Sequence, residues 1–180
     1  MLPQTIALCG CKRVGKDTVA NYLVAQYGYK NVKFAEPMKS ALKALFGWTT
    51  QQVEDNKESI DPFWGVSPRH AMQFFGTDVM QFEIQRLLPH VGRDFFVKSL
   101  LSRHMGEHIV ISDMRFLHEY NGVKQLADSI VIKIVKSETS DDGHVSETEA
   151  SKIPADYIVH NDGSTDELYQ KIENILRDYV

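Results

Sequence analysis

An α/β fold built on a parallel sheet is predicted by two features of this 180-residue chain: five short apolar runs, and helix-period segments between them. The runs are IALC (6–9), VKFA (32–35), HIVIS (108–112), SIVIKIV (129–135) and YIVH (157–160). Strands separated by helices pair in parallel, because a parallel pair needs a long crossover, and the helices then cover both faces of the sheet. A five-stranded parallel sheet sandwiched by helices is therefore expected.

The first strand runs into GCKRVGKDT (10–18), and helical patterns follow at about 16–27, 37–46, 68–88, 93–104 and 115–127, with a last one from Asp166 to about Tyr179. The two patterns between 68 and 104 have no strand between them. They read as a helical insertion over the strand ends, placed at about 48–104, where an acceptor would be recognised. Ser137 to Ser146, SETSDDGHVS, is polar, contains a glycine and follows a strong strand. It reads as a short lid at about 136–146. The length, with 43% hydrophobic and 24% charged residues, suits one domain covering 1–180.

A formal net charge of −4, with no basic block longer than Lys12-Arg13, leaves no electrostatic footprint for a polynucleotide. The opening MLPQTIALCGCKR lacks the layout of a signal peptide, and no apolar run approaches the roughly 20 residues that cross a bilayer. A cytoplasmic protein without a membrane partner is expected. Cys9 and Cys11 sit one residue apart on an extended segment, so their side chains diverge. A buried Cys9 and a loop Cys11 are expected rather than a disulfide or a metal pair.

Gly10, Gly15 and Lys16 satisfy the pattern G-x-x-x-x-G-K, between a buried strand and a helix. Glycines let the backbone wrap an anion, so that Gly10, Lys12, Arg13, Val14, Gly15, Lys16, Asp17 and Thr18 form a candidate ATP phosphate loop. Lys16 would neutralise the outer phosphates, with Lys12 and Arg13 adding positive charge. The competing explanation is an ordinary turn capped by Asp17 or Thr18, which leaves the lysine unexplained. Asp17 stands where such loops carry a hydroxyl. A bare carboxylate about 4 Å from a phosphate oxygen is repelled by about 4 kcal/mol at an effective dielectric near 20. A magnesium ion between them removes that repulsion, because it takes oxygen ligands from carboxylates and phosphates together.

Ligands of such sheets bind beyond the carboxyl ends of the strands, where ISDMRF places Asp113 and Arg115. Asp113 reads as a second metal carboxylate or as a helix N-cap, and Arg115 as the start of the next helix, facing the same crevice. Together these residues resemble a family, the deoxynucleoside monophosphate kinases of the bacteriophage type, a branch of the P-loop kinases. The resemblance spans most of the chain: GCKRVGKDTVANYL (10–23), FAEPMKSAL (34–42), SPRHAMQFFGTDVM (67–80), ISDMRFLHE (111–119), HVSETE (144–149) and IVHNDGSTDEL (158–168). It implies transfer of the γ-phosphoryl group of ATP to a dNMP with Mg2+, on a nucleoside-monophosphate-kinase-like fold, and a homodimer as a candidate assembly.

The same resemblance implies Lys39, Arg69 and Gln73 as ligands of the acceptor phosphate, Gln73 lying one helical turn beyond Arg69. Lys39 alone would read as a solvated helix residue. Arg69 follows Pro68 at a helix start, where a cation opposes the dipole and a bound phosphate would rationalise it. Phe63 and Trp64 are candidate base-stacking residues, though core packing is the common fate of aromatics. Glu147 is placed near the lid, and a capping box from Ser146 explains the same letters. Catalytic charge falls to Lys16, Arg13 and Arg115, with Lys133 and Lys136 at the lid approach. His104 and His108 do not make a zinc pair, because Gly106 interrupts the helix between them. The rival readings are a phosphomevalonate-kinase-like or dephospho-coenzyme-A-kinase-like enzyme, and a noncatalytic nucleotide-binding regulator.

Overall fold

In the computed structural model, which describes residues 1–137 and 152–179, five strands form one parallel sheet in the order β2-β3-β1-β4-β5. The strands are β1 (Thr5–Cys9), β2 (Lys30–Val32), β3 (Ile109–Ile111), β4 (Ser129–Val135) and β5 (Tyr157–His160). β1 is central, with Ile6 opposite Val110 of β3 and Ile130 of β4. All five β1 residues are buried, the pattern of a parallel strand covered on both faces.

The sheet belongs to a unit made of Met1–Lys33 and Val97–Val180. Its helices include α1 (Lys16–Tyr27), α5 (Phe95–Arg103, from Val97 on), α6 (Leu117–Lys124) and the final helix, α7 (Thr165–Arg177). α7 buries Leu168, Ile172, Ile175 and Leu176, a stripe at helical spacing, in the cluster that holds Ile6, Leu8, Ile132 and Val19. Each such side chain contributes about 1.5–3 kcal/mol by leaving water. Ser164 caps α7 by accepting a hydrogen bond from the Glu167 amide at 3.2 Å. α1 ends on Gly28, whose φ of 72° turns its amide back onto the helix carbonyls.

Two expectations for this unit are corrected. β2 lies two residues earlier than the apolar run VKFA, because it is an edge strand whose first two residues are exposed and polar. The helix after β3 begins at Leu117 rather than Arg115, since the backbone of 113–116 stays out of helical pairing and Glu119 caps the helix instead.

The second unit, Phe34–Phe96, is helical. It contains α2 (Glu36–Phe46), α3 (Thr50–Glu54) and α4 (Pro68–Gln73) around Leu42, Trp48, Val53 and Ala71. Thr49 and Gln52 close a capping box at α3, and Ser67 caps α4 ahead of Pro68. The single helix expected over 68–88 is three pieces: α4, a π-helix over Phe74–Phe82 and a 3-10 turn over Glu83–Arg86. Gly76 lies inside the widened segment, where a Cβ would come within 2.9 Å of Met38 Sδ. Close backbone approach accompanies the break in helical regularity.

Candidate active site

The loop after β1 turns on two glycines that no other residue replaces without strain. Gly10 has φ 129° and Gly15 φ 110°. A Cβ on Gly10 would lie 2.1 Å from the Ile134 carbonyl oxygen of β4. Arg13 adopts φ 64°, a left-handed conformation that costs a non-glycine residue about 1–2 kcal/mol. Strain of that size held in a well-packed loop is a mark of functional sites. Val14 is fully buried beneath the loop, while Lys12 and Arg13 are exposed.

Lys16 Nζ donates to the carbonyls of Gly10 at 2.7 Å and Cys11 at 2.6 Å, so the ammonium is seated over its own loop. Helix α1 starts on Gly15 with no side-chain cap, which removes the reading of Asp17 or Thr18 as an ordinary N-cap. Thr18 is half-buried and Asp17 exposed in the first turn. The Asp17 carboxylate pairs with Lys33 Nζ at 3.1 Å. Cys9 is buried, which pushes its thiol up to about 11, against the weaker opposing pull of Lys133 and Lys16; neither cysteine forms a disulfide.

Asn161, just after β5, holds the loop from the same carboxyl end of the sheet, two strands away. Its amide nitrogen donates to the Val14 carbonyl at 2.8 Å, and a Cβ on Gly15 would meet the same nitrogen at 2.7 Å. Sequence reasoning missed this residue because its partner lies 147 positions away. The signals were its place just past a predicted strand and within IVHNDGSTDEL, one of the segments that carry the resemblance.

Beyond β3, Asp113 and Arg115 lie half-buried in the segment before α6. The alternative role of Asp113 as a helix cap is not met, because Glu119 takes it: one Glu119 carboxylate oxygen accepts from the Arg115 amide at 2.7 Å and the Phe116 amide at 3.0 Å. Glu119 is buried, and burial first, then the nearby Asp113, pushes its carboxyl up to about 8, against the two amide bonds and Arg115. The folded protein therefore favours the protonated acid. That contribution to stability is fully present below the ordinary value near 4.5 and is lost as the pH rises toward 8. Glu119→Gln, which keeps an oxygen for both amides, is expected to flatten the decline in thermal stability between about pH 5 and 8, an effect on the order of 1 kcal/mol per pH unit. Parallel melting curves across that range check it.

In the second unit, Lys39 on α2 pairs with Glu54 at 2.7 Å, and Arg69 on α4 with Glu58 at 2.8 Å. Gln73 closes α4, half-buried. Trp64 is exposed in a loop fixed by Asp61, whose carboxylate accepts from the Phe63 and Trp64 amides and from Trp48 Nε1. Trp64 Nε1 donates to the Phe46 carbonyl at 2.9 Å, leaving 45% of the residue exposed.

The family model for deoxynucleotide monophosphate kinase matches residues 4–65 and 48–172. The chain belongs to that family. It is 31% identical over 179 residues to the protein of that name from Acanthamoeba polyphaga mimivirus, covering 93% of each chain. It is 22% identical to the deoxynucleotide monophosphate kinase of Enterobacteria phage T4, across 96% of this chain and 98% of the phage protein. Among solved structures, shikimate kinase from Aquifex aeolicus superposes with a TM-score of 0.53 at 17% identity, over 97% of each chain, which shows the shared fold.

As a deoxynucleotide monophosphate kinase family member the chain is a phosphotransferase, and its sheet and phosphate loop have the organisation of a P-loop kinase. Glu147 and most of the expected lid, including His144, lie outside the described residues. His104 pairs with Glu107 at 2.8 Å and His108 packs edge-on against Tyr29, and among the described residues no metal-holding group of three His, Cys, Asp or Glu occurs. No helix among the described residues is long and apolar enough to cross a membrane. Sequence reasoning also passed over Arg93 of the second unit, which donates to Gln81.

Proposed function

We propose that the chain transfers the γ-phosphoryl group of ATP to a deoxynucleoside 5′-monophosphate, giving ADP and the dNDP. The observation that carries this reading is a strand-loop-helix phosphate cradle in a chain matched along most of its length by one kinase family. The loop amides and the α1 N-terminus take the ATP phosphates, and Lys16 supplies a cation for the charge that develops on the transferring group. Arg13 and Arg115 complete the positive charge.

Asp17 and Asp113, with the Thr18 hydroxyl, are an all-oxygen set of donors, the ligand chemistry that magnesium takes, and would hold the ion. An ion held there would supply positive charge beside the phosphate oxygens. Lys33 holds the Asp17 carboxylate in the meantime. The acceptor is assigned to Lys39, Arg69, Gln73, Trp64 and Glu147, the last of which lies outside the described residues. The acceptor phosphate competes with Glu54 and Glu58 for the two cations, so it is drawn in by exchange of ion pairs.

The test is ADP production with ATP and magnesium across the four dNMPs, the matching ribonucleotides and phosphomevalonate. Turnover on dNMPs is expected, and Asp17→Asn is expected to raise the magnesium concentration needed for half-maximal rate. Tight ATP binding with no turnover on any dNMP would overturn the reading.

A further inference from the structure

We propose that Arg93, aimed by the buried side chain of Gln81, binds the 5′-phosphate of the acceptor nucleotide. This rests on the reading of the chain as a dNMP kinase.

Gln81 lies in the last turn of the π-helix and is only 3% exposed. Its Oε1 accepts from Arg93 Nε at 3.0 Å and Nη2 at 2.7 Å. The guanidinium also rests over the ring of Phe82, 5.5 Å from its centroid. Gly92, at φ 60°, supplies the turn that delivers Arg93 to this position. The side chain is therefore ordered by three contacts, which reduces the ordering cost of binding.

The charge around Arg93 sets it apart from Lys39 and Arg69, the cations already assigned to the acceptor. Lys39 and Arg69 are held by glutamates, as Lys124 is by Asp156 and Arg86 by Glu83. Among the described residues no carboxylate pairs with Arg93, and its fixed partner is an uncharged amide. An amide oxygen orients a guanidinium without neutralising it, so the remaining N–H donors keep full charge for an anion. The planar fork matches two phosphate oxygens in a way a lysine ammonium does not. Within the acceptor unit of a nucleotide kinase, the anion of that geometry is the acceptor phosphate rather than a free ion.

The experiment compares wild type, Arg93→Ala, Arg93→Lys and Gln81→Glu in steady-state kinetics, dNMP titration calorimetry and thermal unfolding. Arg93→Ala is expected to raise the dNMP KM and Kd by about ten- to a hundredfold, the loss of a charged hydrogen bond, with the ATP KM unchanged. Arg93→Lys should recover only part of the affinity. Gln81→Glu is the decisive variant: it retains the fixed geometry but sets a carboxylate on the guanidinium, so dNMP affinity should fall while the melting temperature holds or rises. Two results would overturn the inference: lower melting temperatures with an unchanged dNMP KM, which is a structural clamp, or a raised ATP KM with an unchanged dNMP KM, which is a donor contact. A wild-type chain that binds ATP but no dNMP would remove the kinase reading itself, a result that the variants do not mimic.

Discussion

Lys16→Ala lowers kcat by about 10²–10³-fold, the scale set by removing one charge-stabilising group from a preorganised site. The ammonium is seated on the Gly10 and Cys11 carbonyls, so it is in position before the reaction and needs no reorganisation when charge develops. Truncation removes that cation and leaves the loop amides, the α1 N-terminus and the glycine turns in place. ATP binding therefore weakens less than turnover falls. The stability cost is small, about 1 kcal/mol for each carbonyl bond lost. Lys16→Arg is not expected to rescue the rate, because a planar guanidinium cannot reproduce a compact point charge on those two carbonyls. Single-turnover rates at saturating ATP and dNMP, alongside ATP binding and melting curves, check the three parts separately. A turnover number near wild type would take the loop lysine out of the reaction.

The loop was legible because its chemistry is local: strand, glycines, lysine and helix follow one another within about a dozen residues. What holds it was not. Asn161 reaches the Val14 carbonyl from the far end of the chain, and only the strand order, with β4 and β5 beyond β1, brings it there. β2 was misplaced because apolarity marks burial, not pairing: Val32 is buried and paired, whereas Phe34 is buried outside the strand. Asp113 and Arg115 stand at a strand end as expected, but their helix begins later because a buried glutamate four residues beyond Arg115, Glu119, takes the capping amides.

The second unit was less legible for a further reason. Helical periodicity predicts which residues share a face only while the period holds, and the π-helix over Phe74–Phe82 breaks it. A regular helix reading gives Gln81 no distinguishing role. The wider turn buries it and points its amide at Arg93, which lies in a segment without regular structure. Ion pairing was equally invisible: Lys39 and Arg69 were picked as cations for a phosphate, and their glutamate partners came only with the fold. The cations proposed for the acceptor thus divide into two that would exchange a carboxylate for the phosphate and one held by a neutral group, and these two modes respond differently to salt, since exchange of one anion for another changes little net charge.

Gly10→Ala is expected to be the most damaging single methyl in the chain. Two independent obstacles add. The φ of 129° is one that an L-residue rarely adopts, and the new Cβ would sit 2.1 Å from the backbone oxygen of Ile134. A flexible side chain could move aside, but Ile134 is inside β4, whose neighbour Lys133 pairs with Cys9 of β1 and which itself pairs with Val159 of β5. Relief therefore requires either the loop to lift away from the sheet or the end of the β1–β4 ladder to part, and both disturb the seat of Lys16 on the Gly10 carbonyl. A loss of about 4 kcal/mol or more is expected, within the range where single changes unfold a domain of ordinary stability. Gly28→Ala is the control. It also has a positive φ, of 72°, but nothing lies within 4 Å of its Cβ position, so only the left-handed penalty of about 1–2 kcal/mol applies. Denaturant midpoints for the two variants separate the terms: Gly10→Ala should lose both stability and ATP binding, Gly28→Ala a little stability alone. Equal losses in the two would mean that the carbonyl of β4 yields, and that the loop is held by Asn161 and Val14 rather than by its fit against the sheet.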